Sequence, residues 1–147
     1  MNILNYRFTN RFEETNSLLN KLDALFPIPL SEKVDLTVYT QKLLEKGKVI
    51  CCYNGVEPVG IICFYCNDKK TKVGYISIIG VLPDFQGRNI AKTLINLCFK
   101  ECKNNNMKKV FLYTHKTNTN AIKMYESIGF VRDISDRKSD VKFLYNF

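Results

Sequence analysis

The amino-acid sequence predicts an α/β (α+β) fold in which one mixed sheet of about seven strands carries four helices. The chain has 147 residues, a common size for one domain. Hydrophobic residues make up 46% of it and charged residues 24%, which is typical of a globular protein and excludes a disordered or fibrous one. The spacing of apolar residues also switches between a period of two and a period of about 3.6. We therefore expect residues 1–147 to form a single domain.

The first part of the chain has the pattern strand, helix, loop, helix. Residues 2–8 alternate apolar and polar side chains, which predicts a strand. From residue 10 the apolar period changes to that of a helix, which is predicted to end at Pro27. A second helix is expected to begin near Ser31 or Asp35 and to end at Gly47, a typical C-terminal cap. The apolar stripe of the first helix comprises Phe12, Thr15, Leu18, Leu19, Leu22 and Leu25 or Phe26.

Three strands are predicted to follow as an antiparallel meander. Residues 48–53 and 56–65 are rich in β-formers and flank Asn54-Gly55, the dipeptide best suited to a type I′ hairpin turn. Residues 72–81 form the third strand after a polar turn.

The remaining elements alternate between helix and strand. Because a strand, a helix and a strand succeed one another between residues 75 and 114, those two strands should be parallel, with a right-handed crossover. The predicted elements are a helix over 89–102, a strand over 110–114, a helix over 119–128 closed by Gly129, and strands over 130–134 and 141–145.

The net charge of the chain limits the classes of ligand that it is expected to bind. Lysine and arginine number 22 against 14 aspartates and glutamates, a formal net charge of +8. Such a field attracts nucleic acid, anionic lipid or a phosphate-rich cofactor. Basic residues occur here as isolated pairs and never in a run of five, so most of them are expected to be solvated surface. This distribution disfavours nucleic acid and leaves a phosphate-rich small molecule as the preferred ligand.

Membrane insertion and export are not expected. The longest apolar runs, residues 61–66 and 75–82, are much shorter than the ~20 residues of a membrane-spanning helix. The first residues lack a basic start followed by an apolar core, so no export signal is recognised. We therefore expect a cytoplasmic location and no membrane partner.

The six cysteines invite a disulfide or metal interpretation. Cys63 and Cys66 have CxxC spacing, but they end an apolar run rich in β-formers, and strand alternation would point residues three apart to opposite faces. A zinc site needs thiolates that converge from a turn. We therefore expect reduced, metal-free cysteines that act as small core residues.

Residues 78–92 carry the strongest chemical signal. A strand ends at Val81, a polar loop with one glycine follows, and an amphipathic helix opens at about Asn89. Backbone amides at such a helix start point at one spot, and the helix dipole adds about half a positive charge there, which suits a phosphate group. Arg88 and Lys92 could add charge at its rim. The segment matches neither GxxxxGK[ST] nor GxGxxG, and an ordinary strand-to-helix turn is the alternative.

Two motifs in this chain resemble those of the GNAT superfamily of acyl-CoA-dependent N-acyltransferases. The first has the pattern V-x-P-x-x-[QR]-x-x-G-x-[GA], which Val81, Pro83, Gln86 and Ala91 match, while Asn89 replaces the first glycine. Asparagine is the side chain that best tolerates the left-handed backbone angles of glycine. The second pattern, N-x-x-A-x-x-x-Y-x-x-x-G-F, is matched at every fixed position between residues 118 and 130. The order of predicted elements is also similar to that fold over nearly the whole chain.

The resemblance implies a set of residues that bind acetyl-CoA. The backbone of residues 87–92 would hold the CoA pyrophosphate, residues 79–81 would pair with pantetheine like an added strand, and Asn118 would contact CoA. Amides aimed at an anion and a strand edge open to a peptide-like ligand supply the physical basis. The implied cofactor-binding residues are Ile79, Gly80, Val81, Gln86, Gly87, Arg88, Asn89, Ile90, Ala91, Lys92 and Asn118.

Tyr125 matches the family tyrosine that is expected to protonate the departing CoA thiolate. A phenol is a suitable acid, because the reference pKa values of a phenol and a thiol differ by only ~1.5 units. The alternative is that Tyr125 packs within its helix beside Ile122 and Ile128.

A general base is harder to identify. Some members of the family use a glutamate on a central strand, but the corresponding position here is Tyr113, and residues 75–81 contain no acid. His115, the only histidine, shares the strand parity of Tyr113 and is the candidate base, acting directly or through water. The alternative is a solvent-exposed loop histidine.

These observations predict an N-acetyltransferase that uses acetyl-CoA as cosubstrate and acetylates a primary amine of a small molecule or peptide by direct attack in a ternary complex. A backbone N–H near Ile79 or Val81 would stabilise the developing oxyanion. Residues 26–31, with Asp35 and Tyr39, are expected to shape the acceptor site.

Two other classes of protein remain open. The missing acid and Asn89 would also fit a catalytically idle acyl-CoA-binding or interaction module. The net charge would also fit a nucleic-acid-binding domain. A homodimer is compatible with each of these interpretations.

Overall fold

A computed structural model describes residues 3–147, which form seven strands in one sheet and four α-helices. The strands are β1 (Leu4–Phe8), β2 (Lys48–Asn54), β3 (Glu57–Tyr65), β4 (Val73–Val81), β5 (Lys109–His115), β6 (Val131–Asp133) and β7 (Asp140–Asn146). The helices are α1 (Phe12–Asp23), α2 (Leu36–Lys46), α3 (Ile90–Asn104) and α4 (Thr119–Ile128), and 3₁₀ turns span Leu30–Glu32 and Pro83–Phe85. The predicted fold class, with its strand and helix numbers, is confirmed.

The sheet has the strand order β1-β2-β3-β4-β5-β7-β6. Strands β4 and β5 are parallel and the other neighbours are antiparallel, so the predicted meander and parallel step are both confirmed. Neighbouring residues of one strand face opposite sides of a sheet. Ile61 accordingly packs with Leu18 and Leu43 of α1 and α2, whereas Ile62 packs with Leu94 of α3 and Ile122 of α4. The molecule therefore has three layers, with a hydrophobic core on each face of the sheet.

Several predicted boundaries differ from the observed ones. Strand β1 begins at Leu4, and position 2 lies outside the described residues. Of the two predicted starts of α2, Asp35 is correct, because its carboxylate accepts a hydrogen bond from the Val38 N–H at 3.0 Å. Gly47 does follow the helix, but its φ of −109° is extended and not left-handed. The glycine caps α2 because its N–H donates to the Leu43 carbonyl, and the chain then runs straight into β2.

The predicted type I′ hairpin is wrong by one residue. Asn54 pairs with Glu57, so the two-residue loop consists of Gly55 and Val56. Only Gly55 has a positive φ, of 64°, as the first loop position of a type II′ turn requires. A bulge between Cys52 and Tyr53 accompanies this change of register.

Candidate active site

Strands β4 and β5 separate at the centre of the sheet. They pair only from Val73 to Tyr75 and from Lys109 to Phe111, and beyond these residues each strand continues without the other. A cleft of about 560 Å³ lies at the opening, lined by both strands and by residues of α2 and α4. Unpaired strand edges expose backbone hydrogen-bonding groups to a ligand. The open edge of β4 is therefore available for the added-strand pairing that the sequence predicts.

A β-bulge in β4 helps to open this gap. Cys63 of β3 pairs with Ile78 and the next residue pairs with Ile76, which leaves Ser77 as the extra residue. The Ser77 hydroxyl donates to the Cys63 carbonyl at 3.3 Å and accepts from the Tyr39 hydroxyl at 2.8 Å. Bulges bend a strand and are frequent beside active sites. Ser77 is not among the predicted site residues, although it is the one polar side chain between Tyr75 and Val81.

The direction of the N–H groups on β4 agrees with the predicted oxyanion site. The Leu82 N–H donates to the Val59 carbonyl on β3 at 2.9 Å. Because successive N–H groups of a strand point to opposite edges, we infer that the N–H groups of Val81 and Ile79 point to the open edge. Ile79 also lines the cleft.

The start of α3 has the backbone geometry that the predicted anion cradle requires. Gly87 has φ 80° and Asn89 has φ 60°, so two left-handed residues turn the chain into the helix. Within residues 3–147, no backbone carbonyl accepts from the amides of residues 87–92, and the Asn89 side chain does not cap the helix. Unpaired amides at a helix N-terminus bind anions. The backbone of this segment therefore has the donors that a pyrophosphate needs.

Two glycines bring helices close to the sheet here. A Cβ on Gly60 would lie 2.9 Å from Cγ2 of Ile90, the first residue of α3, so a side chain on β3 would push the cradle outward. A Cβ on Gly80 would lie 2.9 Å from Cδ1 of Leu22 on α1. Gly80, predicted as a cofactor-binding residue, thus has a packing role on the α1 side of the sheet.

The side chains around the cradle have different environments. Gln86 turns back onto β4, where its Nε2 donates to the Val81 carbonyl at 3.1 Å and fixes the loop. The Arg88 guanidinium lies 5.0 Å from the centre of the Phe85 ring, and both Arg88 and Lys92 are exposed. The two cations can therefore reach a phosphate at the rim of the cradle.

Asn118 and Tyr125 both line the cleft from α4. Asn118 precedes the helix and its side chain makes no capping hydrogen bond, so its amide group is available to a ligand. Tyr125 is only 4% exposed, and its ring packs against Phe130 and Phe143 with centroids 5.6 and 5.7 Å away. Burial raises the pKa of the Tyr125 phenol above its usual value, which keeps the hydroxyl protonated. The ring is thus held in packed surroundings while the residue borders the cleft.

His115 ends β5 and also lines the cleft. Its Nδ1 lies 2.7 Å from the Thr117 Oγ1 and 3.2 Å from the Thr117 backbone nitrogen. Because the Thr117 backbone N–H donates to Nδ1, the neutral ring carries its proton on Nε2 and can only donate there. If Nδ1 donates to the hydroxyl, Nε2 is free to accept a proton. The tautomer therefore decides whether His115 can act as a base.

The cysteines lie in the core. All six are buried free thiols, and Cys63 and Cys66 belong to the hydrophobic clusters on opposite faces of the sheet, as their spacing predicts. Among residues 3–147, no group of three metal-ligating side chains is arranged to hold a metal ion. The helices formed by these same residues include none with the length and apolar character needed to cross a membrane.

An open strand edge beside a helix start with unpaired amides has the hydrogen-bonding groups that a CoA-like ligand needs. Comparison with known proteins agrees with this geometry, because residues 15–130 match the model of the acetyltransferase (GNAT) family. The chain belongs to that family, and the predicted resemblance is confirmed.

Individual relatives are acetyltransferases as well. The chain is 37% identical over 90 residues, 58% of its length, to an N-acetyltransferase of Methanocaldococcus jannaschii, of which the match covers 39%. It is 35% identical over 130 residues, 85% of its length, to N-alpha-acetyltransferase 30 of Homo sapiens, of which the match covers 36%. The chain thus spans less than half the length of these two relatives.

A solved structure shows the same fold. Naa50 of Arabidopsis thaliana, in complex with the bisubstrate analogue CoA-Ac-MVNAL, superposes with a TM-score of 0.78 at 21% identity. The superposition covers 98% of this chain and 99% of that one.

Proposed function

We propose that this protein is an N-acetyltransferase that transfers the acetyl group of acetyl-CoA to a primary amine by direct attack in a ternary complex. The observation that carries the proposal is the junction of the open β4 edge with the unpaired amides of residues 87–92, beside a cleft that Tyr125 borders. Membership of the acetyltransferase family supports the same function.

The chain's own groups suit the binding of acetyl-CoA. Amides of residues 87–92 would hold the pyrophosphate, with Arg88 and Lys92 adding positive charge at the rim. The open edge of β4 would pair with the amides of pantetheine. The Asn118 side chain would donate a hydrogen bond to the pantetheine portion of acetyl-CoA or accept one from it. Pairing along the strand would place the thioester between β4 and β5, at the mouth of the acceptor half of the cleft.

The reaction forms one bond and breaks another. The neutral amine nitrogen attacks the thioester carbonyl carbon, the C–S bond breaks, and the CoA sulfur leaves as a thiolate that takes a proton. The N–H groups of Ile79 or Val81 would stabilise the charge that develops on the carbonyl oxygen. The Tyr125 hydroxyl, kept protonated by burial, would supply the proton to sulfur. Most of the remaining acceleration comes from orientation of the two substrates.

The amine must also lose a proton. His115 as the base is part of the proposal, and it requires a change of tautomer in which Nδ1 gives up the hydrogen bond from the Thr117 N–H and donates to the Thr117 hydroxyl. His115→Gln should then slow single-turnover transfer by about 10²-fold at neutral pH. An unchanged rate would remove His115 from the mechanism and leave water as the acceptor of that proton.

The acceptor is a primary amine on a small molecule or a peptide. A peptide is supported by the relatives that are named N-alpha-acetyltransferases and by the bisubstrate analogue bound to the Arabidopsis protein. The cytoplasmic location, the single-domain organisation of residues 1–147 and a homodimer stay predictions.

A binding and transfer experiment tests the function. The purified protein is titrated with acetyl-CoA by calorimetry and then incubated with acetyl-CoA and a panel of amino acids, peptides, polyamines and aminosugars, with acetylated products detected by mass spectrometry. We expect binding and at least one acetylated amine. Binding without any transfer would indicate an idle acyl-CoA-binding module. Absence of binding, with binding of an oligonucleotide instead, would overturn the proposal.

A further inference from the structure

The acceptor half of the cleft combines apolar walls with a cationic rim. It is bounded by the segment that joins α1 to α2, by the start of α2, and by the loop that joins β6 to β7. Its apolar and aromatic lining comprises Phe26, Ile28, Val34, Tyr65, Tyr75 and Tyr113. Cationic side chains line the same space, namely Lys33, Lys42 and Arg137, whereas Asp140 is the one carboxylate in the lining among the described residues.

The two lysines have no carboxylate partner in the described part of the chain. None of the ion pairs found between residues 3 and 147 involves Lys33 or Lys42. Both residues are exposed, and Lys42 lies one helical turn after Tyr39, whose hydroxyl contacts Ser77 at the bulge. Two uncompensated ammonium groups therefore border the acceptor space close to the open strand edge.

Arg137 is held in position by its neighbours. Its guanidinium carbon lies 3.8 Å from the centre of the Tyr113 ring, and the Tyr113 hydroxyl donates to Asp136 Oδ1 at 2.6 Å. Arg137 also forms an ion pair with Asp140, in which 3.6 Å separate Nη1 and Oδ2, a distance too long for a hydrogen bond of good geometry. A guanidinium stacked on an aromatic ring keeps N–H donors for an anion. Asp136, which faces the Tyr113 hydroxyl, orients this platform.

We propose that the acceptor amine carries an anionic group, a carboxylate or a phosphate, on an apolar body, and that Lys33, Lys42 and Arg137 select for it. This inference rests on the proposed acetyltransferase function and names its substrate class. The apolar walls would bury the body of the acceptor, and the rim would pair with its anion. Arg137 is the member suited to bidentate pairing, because a guanidinium matches the fork of a carboxylate or phosphate.

An acceptor with several ammonium groups would be repelled by the rim. The cleft should therefore discriminate in favour of an amine with an anion and against a polyamine.

The test compares three benzylamines that differ in the charge of the para substituent, with spermidine as a polycationic acceptor. The set is 4-(aminomethyl)benzoate, 4-(aminomethyl)benzamide, 4-(aminomethyl)phenylphosphonate and spermidine, measured as kcat/KM for acetylation by the full chain. We expect the benzoate or the phosphonate to exceed the benzamide by at least about tenfold, which corresponds to about 1.4 kcal/mol, and spermidine to be the poorest acceptor. The better of the two anions identifies carboxylate or phosphate as the preferred group.

Charge variants assign the effect to the rim. Lys33→Gln, Lys42→Gln and Arg137→Gln should each lower kcat/KM for the anionic acceptor several-fold, mainly through KM, and change that for the benzamide by less than about twofold. Lys46→Gln, in the last turn of α2 and outside the cleft lining, is the matched control and should leave both acceptors unchanged. Melting temperatures confirm that each variant is folded.

The outcomes separate this inference from the function on which it rests. The inference would be overturned if the benzamide were acetylated as fast as both anionic acceptors. It would also be overturned if the three variants lost kcat/KM equally for neutral and anionic acceptors. Either result would leave the acetyltransferase function intact. Binding of acetyl-CoA without transfer to any amine, in this set or in the wider panel, would overturn both.

Discussion

At the scale of the residue, Asn89 explains how the cradle tolerates the loss of the motif glycine. Its φ of 60° is left-handed, a conformation that asparagine adopts more easily than other residues with a side chain. The side chain makes no capping bond, so the unpaired amides that follow are available to a ligand. The departure from the family pattern thus preserves the backbone geometry.

Asn89→Asp should weaken acetyl-CoA binding by about tenfold or more, because the new carboxylate would face the pyrophosphate at the cradle. Asn89→Gly should keep the affinity. Asn106→Asp is the matched control, since Asn106 is also left-handed, with φ 65°, but follows the far end of α3, ~20 Å away. Calorimetry with acetyl-CoA measures all three, and equal affinity of Asn89→Asp and wild type would contradict the placement of the pyrophosphate.

Tyr125→Phe separates the acid role from packing, since it keeps the ring between Phe130 and Phe143 and removes only the hydroxyl. We expect single-turnover transfer to fall by roughly 10²-fold while acetyl-CoA affinity and melting temperature change little. Tyr145→Phe, which stacks on Phe99 at 4.3 Å outside the cleft lining, is the control. The measurement uses saturating acetyl-CoA and the best acceptor, so that product release does not hide the chemistry. Matching rates for Tyr125→Phe and wild type would show that the residue only packs.

At the scale of the element, the position of α3 depends on a missing side chain in β3. Gly60→Ala would place its Cβ against the branched Cγ2 of Ile90, which cannot move aside without a shift of the helix start. A Cβ on Gly80 would be tightest against the terminal Cδ1 and Cδ2 of Leu22, at 2.9 and 3.3 Å, and these atoms lie one bond further from the helix backbone than the Cγ2 of Ile90.

Gly60→Ala should therefore lower the free energy of unfolding by about 1–3 kcal/mol and weaken acetyl-CoA binding. Gly80→Ala should lower the free energy of unfolding by less and leave the affinity for acetyl-CoA unchanged. Urea unfolding and calorimetry measure the two effects. In the double variant with Ile90→Ala, the two changes should couple, because the second removes the methyl group that the first displaces. Strict additivity of the two free-energy changes would argue against this contact.

At the scale of the whole molecule, the buried thiols make stability depend on alkaline pH. Burial raises the pKa of the Cys51 thiol to about 12 and holds that of Cys63 well above its usual value. In the unfolded chain such thiols ionise with a pKa of about 8.5. Above that pH the unfolded state binds fewer protons than the folded state, so the stability contributed by the neutral thiols decreases as pH rises toward the folded pKa.

The free energy of unfolding should therefore be insensitive to these thiols below pH ~8 and fall above pH ~9, by at most about 1.4 kcal/mol per pH unit for each buried thiol. Urea unfolding between pH 7.5 and 9.8, in the presence of a phosphine reductant, measures the slope. Cys51→Ala should reduce the slope by the share of one thiol. A stability that does not change over this range, or a slope that Cys51→Ala leaves intact, would contradict the prediction.

Local pattern determined most of the secondary structure of this protein. Helix α4 ends as predicted because Gly129 supplies a left-handed cap, with φ 115°, immediately after an amphipathic stripe. Cys63 and Cys66 lie on opposite faces because strand alternation depends only on sequence separation. The unpaired amides at the start of α3 were also predictable, since free amides at a helix start follow from backbone geometry alone.

Tertiary structure alone decided the register of the hairpin, the bulge at Ser77 and the cationic rim of the cleft, whereas Phe26, Ile28 and Tyr39 of the acceptor half lie in or beside the segment that the sequence predicts to shape it. The turn moved to Gly55 and Val56 because pairing along the whole of β2 and β3 outweighs the preference of one dipeptide. Lys33, Lys42 and Arg137 are scattered in sequence, and only the packing of α1 and α2 over one face and the return of the chain into β7 bring them to one cleft. These three side chains form one cationic rim only because the folded chain brings them together, and no local sequence pattern predicts that they are neighbours.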